Sequence, residues 1–261
     1  MSNNSIDLKI ENKVAWITLN RPEVFNSFNR EMALLMQKTL DDCANDANVR
    51  AIVITGSGKA FCAGQDLKEV TTPELNPGFR KILEEHYNPI IHKIRTIEKP
   101  IVAAVNGVAA GAGANIALAC DIVVASEHAS FIQAFSKIGL IPDSAGTFFL
   151  PRLIGFQKAS ALMMLGDKVS AQEAFNLGMI YKLFPLGFFE EEVSALATTL
   201  ANMPTLALGL TKRLLNQSMN NTLEQQLAME SDLQIEASSS NDYKEGVTAF
   251  MEKRKPEFKG N

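Results

Sequence analysis

Two stretches of this chain repeat one pattern: a short apolar strand, a run of small residues, and the start of a helix. The first passes from Ala51-Ile52-Val53-Ile54-Thr55 through Phe61-Cys62-Ala63-Gly64-Gln65-Asp66. The second passes from Ile101-Val102-Ala103-Ala104-Val105 through Asn106-Gly107-Val108-Ala109-Ala110-Gly111-Ala112-Gly113-Ala114. Strands alternating with helices require crossover connections, and crossovers lay strands side by side in parallel. Stacked copies of one crossover unit predict an α/β spiral rather than a flat sheet.

Other elements arrange themselves around this repeat. Ile6–Glu11 and Val14–Leu19 flank Asn12-Lys13, which predicts a hairpin. Asn29 is placed to cap a helix over 30–45, with Met32, Leu35, Met36 and Leu40 as its apolar positions. Thr71-Thr72-Pro73 and Asn76-Pro77-Gly78 predict a mobile loop over 69–79, followed by a helix over 80–97. A small-residue helix is expected over 111–119 and a strand over 121–125. From about 156 onward the pattern is helical, interrupted by Gly178 and Pro185, with Leu206, Leu210 and Leu214 as a core stripe.

Bulk properties exclude several functions. The length of 261 residues suits one large domain or two small ones. A net charge of −4 gives no global basic field for nucleic acid. No apolar run is long enough to cross a bilayer, so no membrane association is expected. The polar start Met1-Ser2-Asn3-Asn4-Ser5 and the end Phe258-Lys259-Gly260-Asn261 carry no recognisable address, so the expected compartment is the cytoplasm. Cys43, Cys62 and Cys120 lack CxxC spacing and read as reduced thiols; with His86, His92 and His128 they form no ligand cluster, so no metal site is expected. Neither GxxxxGK[ST] nor GxGxxG occurs in a strand–turn–helix context, which leaves nucleotide readings unsupported.

The chemistry lies in the two small-residue loops and in Ile138-Gly139-Leu140-Ile141-Pro142-Asp143-Ser144-Ala145-Gly146-Thr147. Loops that open into helices carry unpaired N–H groups, and two facing one point would make an oxyanion hole. They would equally serve tight turns and close packing. Asp143 reads either as the cap of a helix beginning near 144 or as a general base. In the second case Phe131, Phe135, Ile141 and Phe148 would desolvate it and raise its pKa. Asp66 reads mainly as a helix cap. His86 and Tyr87 are ordinary half-buried positions or pocket residues. Lys253, Arg254 and Lys255 form a solvated face or a phosphate contact.

These residues resemble the crotonase superfamily, also called the enoyl-CoA hydratase/isomerase family, from about Val14 to Phe258. The resemblance is carried by Leu19-Asn20-Arg21-Pro22, Ala60-Phe61-Cys62-Ala63-Gly64-Gln65-Asp66-Leu67, Val105-Asn106-Gly107, Ala119-Cys120-Asp121, Gly139-Leu140-Ile141-Pro142 and Gly246-Val247-Thr248-Ala249-Phe250-Met251-Glu252-Lys253-Arg254. It implies a spiral of ββα units over 1–198 and a C-terminal helical segment over 199–261 for trimerisation and active-site cover. It implies a homotrimer or dimer of trimers and a coenzyme A thioester as substrate. No separate cofactor is implied, coenzyme A being part of the substrate.

By the same resemblance the oxyanion amides belong to Gln65 and Ala112, and Asp143 is the remaining catalytic acid. Val24, Ala63, Asp66, Leu67 and Lys68 match coenzyme A contacts, joined by Phe250 and Lys253 from a neighbouring subunit. Hydratases of the family use two glutamates, and the matching positions here are Asn115 and Phe135, which cannot transfer protons; Asn115 is expected only to shape the pocket. A lone carboxylate resembles the phenylacetate-degradation isomerases of the family, which convert ring-1,2-epoxyphenylacetyl-CoA to oxepin-CoA. It also resembles relatives that shift a 3-enoyl-CoA double bond to the 2 position. The alternatives are a hydratase or other lyase or hydrolase on the same scaffold, and a non-catalytic acyl-CoA binding protein.

Overall fold

The computed structural model describes residues 4–261; Met1, Ser2 and Asn3 of the polar N-terminal segment lie outside the described residues. Strands β1 (Ile6–Glu11) and β2 (Val14–Leu19) form the expected antiparallel hairpin, with Ile6 opposite Leu19. Helix α1 (Arg30–Asn45) starts at Asn29, whose side chain accepts the Met32 N–H. Three units then follow that each place one strand in a large sheet and one in a small sheet. These pairs are β3 (Ala51–Gly56) with β4 (Ala60–Cys62), β5 (Ile101–Val105) with β6 (Val108–Ala110), and β7 (Ile122–Ser126) with β8 (Ser130–Ile132).

The large sheet has the order β1-β2-β3-β5-β7-β10 and the small one β4-β6-β8-β9, where β9 is Lys168–Ser170 and β10 is Lys182–Phe184. Pairings are parallel from β2 through β10 and from β4 through β8. Each unit advances one strand along both sheets, which is the spiral that the repeat predicts. The sheet buries both faces. Ile52 and Ile54 point into the main core, while Ala51 and Val53 pack with Phe189, Val193 and Ala197 of a helix over Phe189–Ala201. Side chains alternate along a strand, so a run apolar at every position is buried on both faces.

The sequence pattern departs from the fold in three places. The short strands β4, β6, β8, β9 and β10 were not expected, and β9 and β10 interrupt the stretch read as helical after 156. Three residues are too few to show a period of two. Part of the expected mobile loop is ordered: α2 (Leu67–Thr71) is a helix capped by Asp66. The helix expected over 80–97 is α3 (Phe79–Lys81), a π turn over Ile82–Tyr87, and α4 (Asn88–Thr96).

The helices beyond are α5 (Ala112–Leu118), α6 (Gly146–Ile154), α7 (Phe156–Leu165), α8 (Ala171–Asn176), α9 (Phe189–Ala201), α10 (Thr205–Ser218), α11 (Leu223–Ser238) and α12 (Asn241–Met251). The buried Lys212 of α10 pairs with Asp121 at 2.8 Å, and Arg95 of α4 reaches the same carboxylate at 3.2 Å, tying α10 to the spiral. Among the described residues no single helix is long and apolar enough to cross a membrane.

Candidate active site

A cavity of about 540 Å³ opens between the two small-residue loops, the π turn and the turn that carries Asp143. Its wall is mostly apolar: Val70, Phe79, Ile82, Leu83, Phe135 and Leu140 contribute side chains. Asp143 is the one carboxylate on that wall among the described residues.

Gln65 lies in a bridge with Phe28. The Phe28 N–H donates to Gly64 O at 2.7 Å and the Asp66 N–H donates to Phe28 O at 2.8 Å. In an extended bridge the neighbours of a residue face the partner, so its own N–H faces the other way. The Gln65 N–H therefore points away from Phe28, and among the described residues it has no acceptor. Ala112 is the first residue of α5. Its predecessor Gly111 donates to Ile132 O at 2.9 Å, while the Ala112 N–H is one of the orphan donors of a helix start and also has no acceptor. The two loops approach closely at Gly64, which has φ +93°; a Cβ there would sit 3.0 Å from Ala110 O and 3.3 Å from Ala112 N. Both donors border the same cavity. Beneath them Cys62 is fully buried, and burial pushes its thiol up to about 12, which leaves it no nucleophile.

Asp143 does not cap α6. That helix begins at Gly146 after Ala145, which has φ +59° and makes no side-chain cap bond; Ser144 also lies at positive φ, +49°. This pair of left-handed non-glycine residues separates Asp143 from the helix start, and such strain must be held by its surroundings. The Asn115 Nδ2 donates to the Asp143 backbone O at 2.8 Å, and the Gln133 Nε2 donates to Asn115 Oδ1 at 2.8 Å. Gly146 makes room for this, since a Cβ there would lie 2.3 Å from Asn115 Nδ2. Asn115, expected only to shape the pocket, is instead buried behind the turn as its fastener.

The Asp143 carboxylate accepts one side-chain bond, from the Ser144 hydroxyl at 2.9 Å. Burial pushes its pKa up to about 6, against a smaller lowering by Ser144. Of the expected desolvating residues only Phe135 lines the cavity. Ile141 is 83% exposed, and Phe148 packs under the Arg152 guanidinium. Ile82 and Leu83 of the π turn, Val70, Phe79 and Leu140 supply the rest of the apolar wall, and most of these lie far from residue 143 in the sequence.

The remaining candidates separate cleanly. Asp66 accepts the Lys68 N–H at 3.0 Å and pairs with Arg21 at 2.8 Å. His86 is a buried residue of the π turn that does not line the cavity, and Arg30 Nη1 lies 3.0 Å from its Nε2; burial pushes its pKa down. Tyr87 reaches the site by donating to Gln65 Oε1 at 2.9 Å. Ala63 and Leu67 border the cavity, and Lys68 is exposed beside them. Val24 is half-buried nearby in sequence to the Phe28 bridge, and Phe250 and Lys253 are exposed at the end of α12, off the cavity wall of their own chain. Glu69, which bonds the Gln65 side chain, is a residue that sequence reasoning missed, and no local pattern signals it, since its partners are Gln65 and the distant Arg30 N–H rather than the Asp66 N–H of a capping box.

Comparison with known proteins places this geometry. A family model described as enoyl-CoA hydratase/isomerase matches residues 9–261. The chain is 44% identical over 253 residues to the 1,2-epoxyphenylacetyl-CoA isomerase of Escherichia coli, covering 96% of this chain and 97% of that protein. It is also 44% identical over 260 residues to a Rhodobacter capsulatus protein named "Probable enoyl-CoA hydratase", covering 100% of both. A crystal structure of enoyl-CoA hydratase from Bacillus anthracis superposes with a TM-score of 0.91 at 32% identity, covering 98% of this chain and 100% of that one.

Proposed function

The chain belongs to the enoyl-CoA hydratase/isomerase family, and from that premise we propose that it is an isomerase of acyl-CoA thioesters working through an enolate. Asp143 takes a proton from C2 of the acyl group. The Gln65 and Ala112 N–H groups hold the thioester oxygen as negative charge develops there. Asp143 then returns the proton at C4, moving a 3-enoyl double bond to the 2 position. On a ring-1,2-epoxyphenylacetyl thioester the C2 proton passes to Asp143, and the ring carbon–carbon bond bridged by the epoxide oxygen breaks to give the seven-membered oxepin with a double bond to C2. Asp143 returns the proton to a ring carbon, so the formula is unchanged. The observation that carries this reading is the single carboxylate on the cavity wall, with a pKa raised to about 6. A base of that strength accepts a proton at neutral pH and releases it again. The apolar wall suits a bulky hydrocarbon acyl group, and the Escherichia coli relative acts on such a ring by its name.

In the same reading Val24, Ala63, Asp66, Leu67 and Lys68 hold coenzyme A, and Phe250 and Lys253 reach its phosphates from a neighbouring subunit of a homotrimer or dimer of trimers. No separate cofactor takes part, and the protein works in the cytoplasm.

A hydratase is the second reading, favoured by the equal identity to the Rhodobacter capsulatus protein. Against it, the side chains at 115 and 135 are an amide turned to the Asp143 backbone and a phenyl ring. Incubation with 3-hexenoyl-CoA, with 2-hexenoyl-CoA and with enzymatically generated epoxyphenylacetyl-CoA in deuterated water, followed by mass spectrometry, separates the two. Isomerisation gives product of unchanged formula apart from deuterium; addition of a water mass to 2-hexenoyl-CoA as the dominant reaction would overturn the isomerase.

A further inference from the structure

Gln65 is held by its side chain as well as by its backbone. Its Oε1 accepts from the Tyr87 hydroxyl at 2.9 Å, and its Nε2 donates to Glu69 Oε2 at 2.7 Å. The second oxygen of Glu69 accepts the Arg30 N–H at 2.7 Å. One end of this chain sets the direction of every bond. A carboxylate only accepts, so the amide NH2 of Gln65 faces Glu69, its carbonyl faces Tyr87, and Tyr87 donates. Glu69 and Tyr87 are both buried, so water does not readily replace either partner.

The π turn is what brings Tyr87 into register with Gln65. A π turn adds a residue to the helix and leaves carbonyls unpaired. Here the Gln37 amide donates to two carbonyls of the turn, Glu85 O at 2.7 Å and His86 O at 3.2 Å. A side chain of α1 that does not line the cavity thus ties down the helix irregularity. Glu69 does not line the cavity; Tyr87 borders it, but its side chain is buried and its hydroxyl is spent on Gln65 Oε1. Together they hold the residue whose backbone N–H borders the cavity.

We infer that Glu69 and Tyr87 are positioning residues: together they clamp the Gln65 side chain so that its backbone N–H keeps its aim at the thioester oxygen. The inference rests on the enolate reading above. Glu69 is the anchor, because its charge fixes the orientation of the Gln65 amide. A Gln at position 69 still accepts the Arg30 N–H through its oxygen, but it turns an NH2 toward the Gln65 NH2. Gln65 then either loses that bond or flips, in which case the Tyr87 hydroxyl can only accept from it and its own proton is left buried without an acceptor. Tyr87→Phe removes the other jaw while keeping the buried ring.

The test uses the carbonyl itself. [1-13C]Hexanoyl-CoA is saturated and has no double bond to move, so it reports on binding and polarisation alone. Its bound thioester band is measured by infrared difference spectroscopy in the unaltered protein, Glu69→Gln and Tyr87→Phe. The band is expected below the free-ester frequency in the unaltered protein and to move back toward it in both variants. With 3-hexenoyl-CoA, kcat falls about tenfold in each variant, part of the effect of losing an oxyanion donor outright, while KM stays within about twofold. The double variant loses little more than the worse single one, because both act through one amide. A lowered band that is unmoved in both variants overturns the clamp, as does a loss confined to KM or to thermal stability. A bound ester with no lowered band in the unaltered protein overturns the oxyanion reading instead.

Discussion

Asp66 and Asp143 each stand beside a helix start, the first buried and the second half-buried, yet their surroundings are opposite. Asp66 spends its oxygens on the Lys68 N–H that begins α2 and on the Arg21 guanidinium, which itself bonds Ser27 O. Asp143 precedes a left-handed pair that separates it from the start of α6, with one hydroxyl as its side-chain partner among the described residues and an apolar wall in front. The first carboxylate has a charged partner and a cap to hold. The second has almost nothing to stabilise its charge, and burial lifts its pKa to about 6. Whether an aspartate in such a turn is structural or reactive is decided here by the partners it has been denied.

Removing each carboxylate tests this contrast. Asp143→Asn keeps the shape but cannot accept a proton, and loss of a positioned base costs about 10²–10⁴-fold in rate. Steady-state kcat for isomerisation is expected to fall by that order, whereas Asp66→Ala leaves turnover of the folded enzyme far less changed. Equal losses from the two would erase the distinction.

Stability is expected to move in opposite directions. A carboxyl whose folded pKa lies above its unfolded value binds its proton more tightly in the folded state. Its penalty is absent below the unfolded pKa near 4, grows as pH rises toward 6, and is complete above that. From 3.8 to about 6 the penalty at neutral pH is about 3 kcal/mol at most. Urea unfolding should therefore show Asp143→Asn to be more stable than the unaltered protein at pH 7, with the gain vanishing toward pH 4. Asp66→Ala should lose about 1 kcal/mol for the cap and more besides, because the Arg21 guanidinium, 18% exposed, is left without its carboxylate. A destabilised Asp143→Asn at pH 7 would mean that the carboxylate has a partner after all.

The smallest effect concerns Ser144. Its hydroxyl is the one group that lowers the Asp143 pKa, so Ser144→Ala should shift the acid limb of the pH–rate profile upward by less than about one unit. A downward shift would assign that limb to another group.

Much of the fold was legible because it is local or periodic. Asn29 announces α1, the apolar runs at 51–55 and 101–105 announce parallel strands, and their repetition announces the spiral. The second sheet was not legible, since β4, β6 and β8 are three residues each and lie among glycines and alanines that also suit loops. Of the site, the two amide loops and Asp143 stand out in the sequence, but the choice between cap and base did not. That choice depends on φ at Ser144 and Ala145, two residue types with no visible preference for the left-handed region. The wall that desolvates Asp143 was misassigned for a related reason. Ile82 and Leu83 arrive on a helix some sixty residues earlier, while Ile141, two residues away, points into solvent. The Tyr87–Gln65–Glu69 contacts likewise exist only once the π turn has set its register.

The central claim is that Asp143 itself moves the C2 proton, and proton exchange tests it more directly than product formation. Unaltered protein and Asp143→Asn are each mixed with 3-hexenoyl-CoA in deuterated water. Loss of C2 protium, by exchange and by isomerisation together, is followed by NMR across pH 5 to 8. The expected result is a rate in the unaltered protein that rises with pH to a plateau, half-maximal near 6, and falls about 10²–10⁴-fold in the variant. Near-normal loss of C2 protium in Asp143→Asn would place the base elsewhere and contradict the account.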